Sequence, residues 1–190
     1  QGGFTIDVST ADGTATTGDS DYSAVSSQTL TFAGNAGETQ TFTIVQLGDS
    51  KVEVDETLTI SQSNLAGTTL GVVITDGATA TILNDDMAAI TIEDVTGNED
   101  DGVLTLTATL DNPVDGGFMV NINFTDGTAT TADSDYTTAS PVLLTFSGTA
   151  GETQNFTVTP TADTKVEANE TLFIGLSNLI ATTVDGGNVS

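Results

Sequence analysis

Wherever this chain is apolar, it alternates. In the run Val103 to Leu110, Leu104, Leu106, Ala108 and Leu110 fall on one face and threonines on the other. Val120, Ile122 and Phe124 are separated by asparagines, and Leu30/Phe32, Phe42/Ile44 and Leu58/Ile60 keep the same two-residue step. That step is the signature of half-buried strands. Asp12-Gly13, Asp76-Gly77, Asn112-Pro113, Gly116-Gly117 and Asp126-Gly127 punctuate the runs as turns. Threonine supplies 38 of 190 residues, which favours strands. No segment carries a convincing helical period. The pattern predicts an all-β protein.

A shift of 114 residues lays the chain on itself without a gap. Between residues 1–76 and 115–190, 38 of 76 positions are identical. Asp12 to Thr17 returns as Asp126 to Thr131, Asp19 to Tyr22 as Asp133 to Tyr136, and Ala36 to Gln40 as Ala150 to Gln154. Lys51-Val52-Glu53 returns as Lys165-Val166-Glu167, and Glu56-Thr57-Leu58 as Glu170-Thr171-Leu172. A period of 114 is the size of a domain, not of a solenoid unit. The reading is two antiparallel β-sandwiches in tandem, 1–86 and 87–190. The first lacks its first strands and the second its last strand, because the window is out of register with the period. With Gln1 in place of a starting methionine, this leads to the expectation that the native chain continues in both directions, or that neighbouring chains complete the domains.

Charge narrows the chemistry. There are 27 acidic residues, two lysines, no arginine, no histidine and no cysteine, for a net charge of -25. Nothing can neutralise phosphate, so nucleic acid and anionic membranes are poor partners. No apolar run reaches the roughly 20 residues of a membrane span. Thiol chemistry, zinc ribbons and histidine-based catalysis are excluded. With two tyrosines and no tryptophan, a sugar-binding cleft for a carboxylate-pair glycosidase has no wall, so the chain reads as a non-enzyme. Carboxylates, hydroxyls and amides remain, and these suit hard cations, above all calcium.

Taken in order, Asp-Gly-Thr-Ala, Ser-Asp-Tyr, Leu-Thr-Phe, Ala-Gly-Glu-Thr, Val-Glu-x-x-Glu-Thr-Leu, Ser-Asn-Leu and Ala-Thr-Ile-Leu-Asn-Asp-Asp resemble the Calx-β domain. The series runs twice, up to the truncation of the second copy. The resemblance implies an immunoglobulin-like sandwich that often binds calcium in loops at one pole. Such domains occur in sodium–calcium exchangers, in integrins and in very large bacterial surface proteins. The threonine-rich, nearly lysine-free version here is most similar to the last group, which includes adhesins of gliding and biofilm-forming bacteria.

The resemblance also implies a calcium constellation. In the first copy the matching residues are Asp21, Asp49, Glu53, Asp85 and Asp86. In the second they are Glu99, Asp135, Asp163 and Glu167, with Asp100 and Asp101 beside Glu99. Where calcium sensors of the family carry runs of aspartate, this chain has Gly48-Asp49-Ser50 and Ala162-Asp163-Thr164, and Asn84 precedes Asp85. Fewer carboxylates imply one or two ions per site and loose affinity, on the order of 10⁻⁴–10⁻³ M. A plainer reading stands beside this one: aspartates cap turns, and an acidic surface keeps a protein soluble. Asp12 and Asp126 read as turn residues, Glu56 and Glu170 as structural residues at a strand start, and Tyr22 and Tyr136 as core or corner residues.

The function expected is a calcium-binding structural repeat of a long secreted bacterial surface adhesin or filament. Its partners would be neighbouring repeats of the same chain, with any surface, glycan or protein ligand held outside this segment and no insertion into membrane. Two alternatives remain: a calcium-sensing module of a transporter or receptor, and a passive spacer without metal.

Overall fold

A computed structural model describes residues 2–67, 71–181 and 188–190. It divides the chain into two units: Gln1–Asp49 with Asp55–Asn84, and Ser50–Val54 with Asp85–Ser190. The boundary falls after Asn84, two residues before the one expected from the sequence. Ser50–Val54 folds with the second unit because Val52 bonds there: its N–H donates to the Pro113 carbonyl at 2.9 Å, and its carbonyl accepts the Asp115 N–H at 2.9 Å.

In the first unit β1 (Phe4–Asp12), β3 (Gln28–Phe32), β5 (Glu56–Ala66) and β6 (Ala78–Ile82) form one antiparallel sheet in the order β3-β1-β5-β6. The two-residue strands β2 (Tyr22–Ser23) and β4 (Val45–Gln46) pair separately. Ile6 and Val8 of β1 meet Leu30 of β3 in one small core, and Ala15, Tyr22 and Leu58 make another. The rings of Phe4 and Phe32 stack at 4.7 Å.

The second unit is a fuller sandwich. Strands β7 (Ile90–Ile92), β8 (Leu104–Leu110), β10 (Tyr136–Thr137) and β12 (Thr153–Pro160) form a sheet in the order β10-β12-β8-β7. Strands β9 (Phe118–Asp126), β11 (Val142–Phe146) and β13 (Leu172–Ala181) form the other, in the order β11-β9-β13. Leu106, Ala108, Leu110, Phe156 and Val158 of the first sheet share a core with Val120, Ile122, Leu144 and Phe146 of the second. Phe118 and Phe146 repeat the stacked pair of the first unit at 5.0 Å. Burying the Phe118 and Phe146 rings, both almost fully enclosed, is worth roughly 1.5–3 kcal/mol each.

Two differences from the alternation pattern have physical causes. Phe42 and Ile44 are half-buried, as their spacing predicts, yet they lie outside any strand, and only Val45–Gln46 beyond them pairs. Their counterparts Phe156 and Val158 ladder onto β8, whereas Phe42 and Ile44 pair with no strand among the described residues. A strand needs a partner for its backbone groups, so alternation alone does not make one. The Ser-Asn-Leu motif has a backbone role: Asn64 and Asn178 take positive φ of 51° and 49°, and the β1–β5 and β9–β13 registers shift there. Asparagine tolerates this left-handed conformation at a bulge. A 3₁₀ turn spans Glu99–Asp101, and among the described residues no helix is long and apolar enough to cross a membrane.

Candidate metal centre

The site in the second unit begins with a turn. β9 ends at Asp126, and a Cβ at Gly127 would collide with the carbonyl oxygen of Thr171, so glycine is required there. The loop is then strapped to the start of β13. Ala129 N–H donates to the Thr171 carbonyl at 3.0 Å, and Thr171 N–H donates to Thr128 Oγ1 at 2.8 Å. Asp126 organises the return: its carboxylate accepts the Thr131 N–H at 3.2 Å and the Tyr136 hydroxyl at 2.6 Å. Within that frame Asp135 Oδ2 accepts the Thr130 N–H at 2.7 Å. The strap thereby sets Asp135 beside the chain that leads into β13, where Glu167 and Glu170 stand.

Asp135, Glu167 and Glu170 each bring a carboxylate oxygen within 4.8 Å of the other two. Three negative charges at that spacing repel one another. Glu170 is held above the ordinary carboxylate range, first by partial desolvation and then by the charges of Asp135 and Glu167, with Lys165 opposing. Lys165 is paired with Glu167, and that bond with the surrounding acids raises its own pKa. One cation against three carboxylates leaves an unbalanced negative charge. The group lines a depression of about 1440 Å³ whose walls also include Glu99, Asp100, Asp101 and Asp163.

These positions can be compared with those expected from the sequence. In the second copy Asp135 and Glu167 come together, while Glu99 and Asp163 line the same depression outside the tight group. Asp163 Oδ1 accepts the Lys165 N–H at 2.7 Å, and Asp101 closes its own turn by accepting the Asn98 N–H at 2.8 Å. In the first copy Asp21 is the one buried charged residue among those described, 8% exposed, and its Oδ2 accepts the Thr16 N–H at 2.6 Å. Its carboxylate and that of Glu56 lie within 4.8 Å. Glu53 stands on the stretch Ser50–Val54 and pairs with Lys51 at 2.5 Å. Asp49 and Asp85 are exposed and Asp86 is half-buried. Among the described residues none of these three belongs to a close group of carboxylates.

Glu56 and Glu170, read from the sequence as structural, are the additions. Glu56 does open β5, yet its carboxylate also meets that of Asp21, and Glu170 completes the group with Asp135 and Glu167. The signal was present: Glu53-x-x-Glu56 and Glu167-x-x-Glu170 recur at the same offset from Asp21 and Asp135. Asp12, Asp126, Tyr22 and Tyr136 keep the turn and core roles expected of them.

A Calx-beta domain matches residues 1–87 and again residues 85–187. The chain belongs to the Calx-beta family. Among solved structures this Calx-beta pair is similar to the crystal structure of CBD12 from CALX1.2, at 24% identity over 92% of this chain and 68% of that one, with a TM-score of 0.39. It is also similar to the crystal structure of calcium binding domain CBD12 of CALX1.1, at 20% identity over 95% of this chain and 68% of that one, with a TM-score of 0.40. Among curated proteins none matches.

The donor set of the Calx-beta site fits a hard divalent cation. It offers carboxylate oxygens, a depression open to water for further ligands, and no nitrogen or sulfur donor that would favour zinc or copper. A bound dication would offset the excess negative charge at Asp135, Glu167 and Glu170. The bonds of Ala129 and Thr128 to Thr171 hold the loop after β9 against the segment that opens β13.

Proposed function

We propose that this Calx-beta pair is a calcium-binding structural segment of a long, secreted bacterial surface adhesin or filament. In this reading calcium stiffens the junction between successive repeats, and the array serves adhesion, gliding or biofilm formation at the cell surface. The observation that carries it is the group Asp135, Glu167 and Glu170: three carboxylates crowded by backbone-fixed loops, with Glu170 pushed up by desolvation and then by its acidic neighbours. The same residues recur at Asp21, Glu53 and Glu56, as a repeated joint requires. The chemistry of the whole chain agrees, since oxygen donors are nearly all it has.

Calcium in the millimolar range of extracellular fluids would occupy sites of about 10⁻⁴–10⁻³ M affinity. The test is small-angle scattering of an array of complete repeats, with calcium and with chelator, alongside a calorimetric titration. The reading expects binding heat and a longer, stiffer particle with calcium. Binding heat without a change in length would move the chain to the sensor class, and neither effect would leave a passive spacer.

A further inference from the structure

We propose that Val166 is the peg of a joint between repeats, received by a slot on a following copy of this repeat. The template is Val52. It is fully buried, forms a parallel bridge with Val114, and belongs to the core of the second unit with Ala88 and Phe118. Its N–H and carbonyl are both taken, by Pro113 and Asp115 at 2.9 Å each. Lys51 Nζ beside it lies 3.7 Å from Asp115 Oδ1. The slot is shaped by glycine. Gly148 has φ of 91°, a Cβ there would collide with the Val114 carbonyl, and its own carbonyl accepts the Val114 N–H at 2.9 Å.

Val166 is the same residue in the same tripeptide, Lys-Val-Glu, 114 positions on. It is 99% exposed, and the Lys165 side chain is 57% exposed against 28% for Lys51. A lone exposed valine needs no explanation in general. Here, though, the identical tripeptide shows what the valine does when a receiver is present. Pro113, Val114 and Asp115 lie about 60 residues after Val52 in the chain, and one period of 114 residues later the same three positions stand at that offset from Val166. A further copy of the repeat supplies that receiver in register. The contact would be two backbone hydrogen bonds around a buried valine, with Lys165 reaching the carboxylate equivalent to Asp115.

The proposal rests on the reading of the chain as part of a repeat array but not on its calcium. The protein has no cysteine, so a single introduced thiol reports its own burial. Val166→Cys and Val52→Cys are made in the 190-residue chain and in the same chain extended after Ser190 by a second copy of residues 77–190, which preserves the 114-residue period. Maleimide labelling is followed in EGTA. In the 190-residue chain Val166→Cys should react as a free thiol and Val52→Cys about 100-fold slower, as for a site reached only through local opening. In the extended chain Val166→Cys should slow to the rate of Val52→Cys. Equal rates for Val166→Cys in both chains would overturn the proposal. Amide exchange at the unmodified Val166 gives the same answer without a substitution: protection appearing on extension supports the joint, and unchanged fast exchange contradicts it.

Discussion

The Tyr136 hydroxyl donates to Asp126 Oδ1 at 2.6 Å, and 114 residues earlier the Tyr22 hydroxyl donates to Asp12 Oδ1 at 2.7 Å. Burial and the bond to Asp126 push the Tyr136 phenol up to about 12, and the same bond draws Asp126 below its ordinary range. The tyrosine thus closes the loop that carries Asp135. Tyr136→Phe should keep the fold, cost about 1 kcal/mol of stability and weaken calcium binding by loosening Asp135. Thermal unfolding with and without calcium checks both effects. An unchanged melting temperature would mean the bond holds nothing.

Acid should unfold the protein through carboxylates outside the group Asp135, Glu167 and Glu170. Hydrogen bonds from the Ala33, Asn35 and Gly34 N–H groups hold Glu38 below 4.5. In Glu152 partial burial pushes up, but bonds from Ser147, Gln154 and Thr149 outweigh it and the net direction is down. Asp12 and Asp126 are lowered mainly by their tyrosines. A depressed folded pKa gives stability that is complete above the unfolded value and lost as pH falls through the folded one. Melting temperature should therefore fall below about pH 4.5, and the pair Glu38→Gln with Glu152→Gln should flatten that fall. An acid limb as steep as in the unaltered chain would assign it to other groups.

Glu170 has the opposite sign. Its folded pKa is raised, first by desolvation and then by Asp135 and Glu167, so its ionisation works against the fold as pH rises through the shifted value. In EGTA near neutral pH, Glu170→Gln should raise the melting temperature. In 10 mM calcium it should lower it relative to the unaltered chain, because a ligand is gone. Curves that do not cross would separate Glu170 from the metal.

Val52 and Val166 should respond differently to the same change. Val52→Asp places a charge in the second unit's core and should destabilise by several kcal/mol. Val166→Asp falls on an exposed residue and should stay within about 0.5 kcal/mol in this chain. Denaturant unfolding measures both, and equal effects would contradict the burial difference.

Much of this fold is legible in the sequence. Leu104 to Leu110 reads as a strand because its alternation, its threonine face and its partner β12 agree. Phe42 and Ile44 carry the same alternation, yet a strand also depends on a neighbour that local pattern does not report. The site is half readable. Asp135 and Glu167 stand out through family motifs, while Glu170 reads as structural because a glutamate opening a strand commonly is. Only the strap from Ala129 and Thr128 to Thr171 brings it to Asp135. The placement of Ser50–Val54 is invisible for a similar reason. Lys-Val-Glu is one sequence in two environments: Val52 is buried and bonds Pro113 and Asp115, while Val166 is exposed.

Calorimetric titration of calcium into the unaltered chain and into the triple variant Asp135→Asn, Glu167→Gln, Glu170→Gln tests the metal centre most directly. The unaltered chain should bind with affinity on the order of 10⁻⁴–10⁻³ M. At 10 mM calcium that affinity corresponds to about 1.4–2.7 kcal/mol of added stability. The variant should lose the second unit's binding event and its share of the added stability. Identical heats and identical calcium-dependent melting shifts in the two proteins would contradict the account.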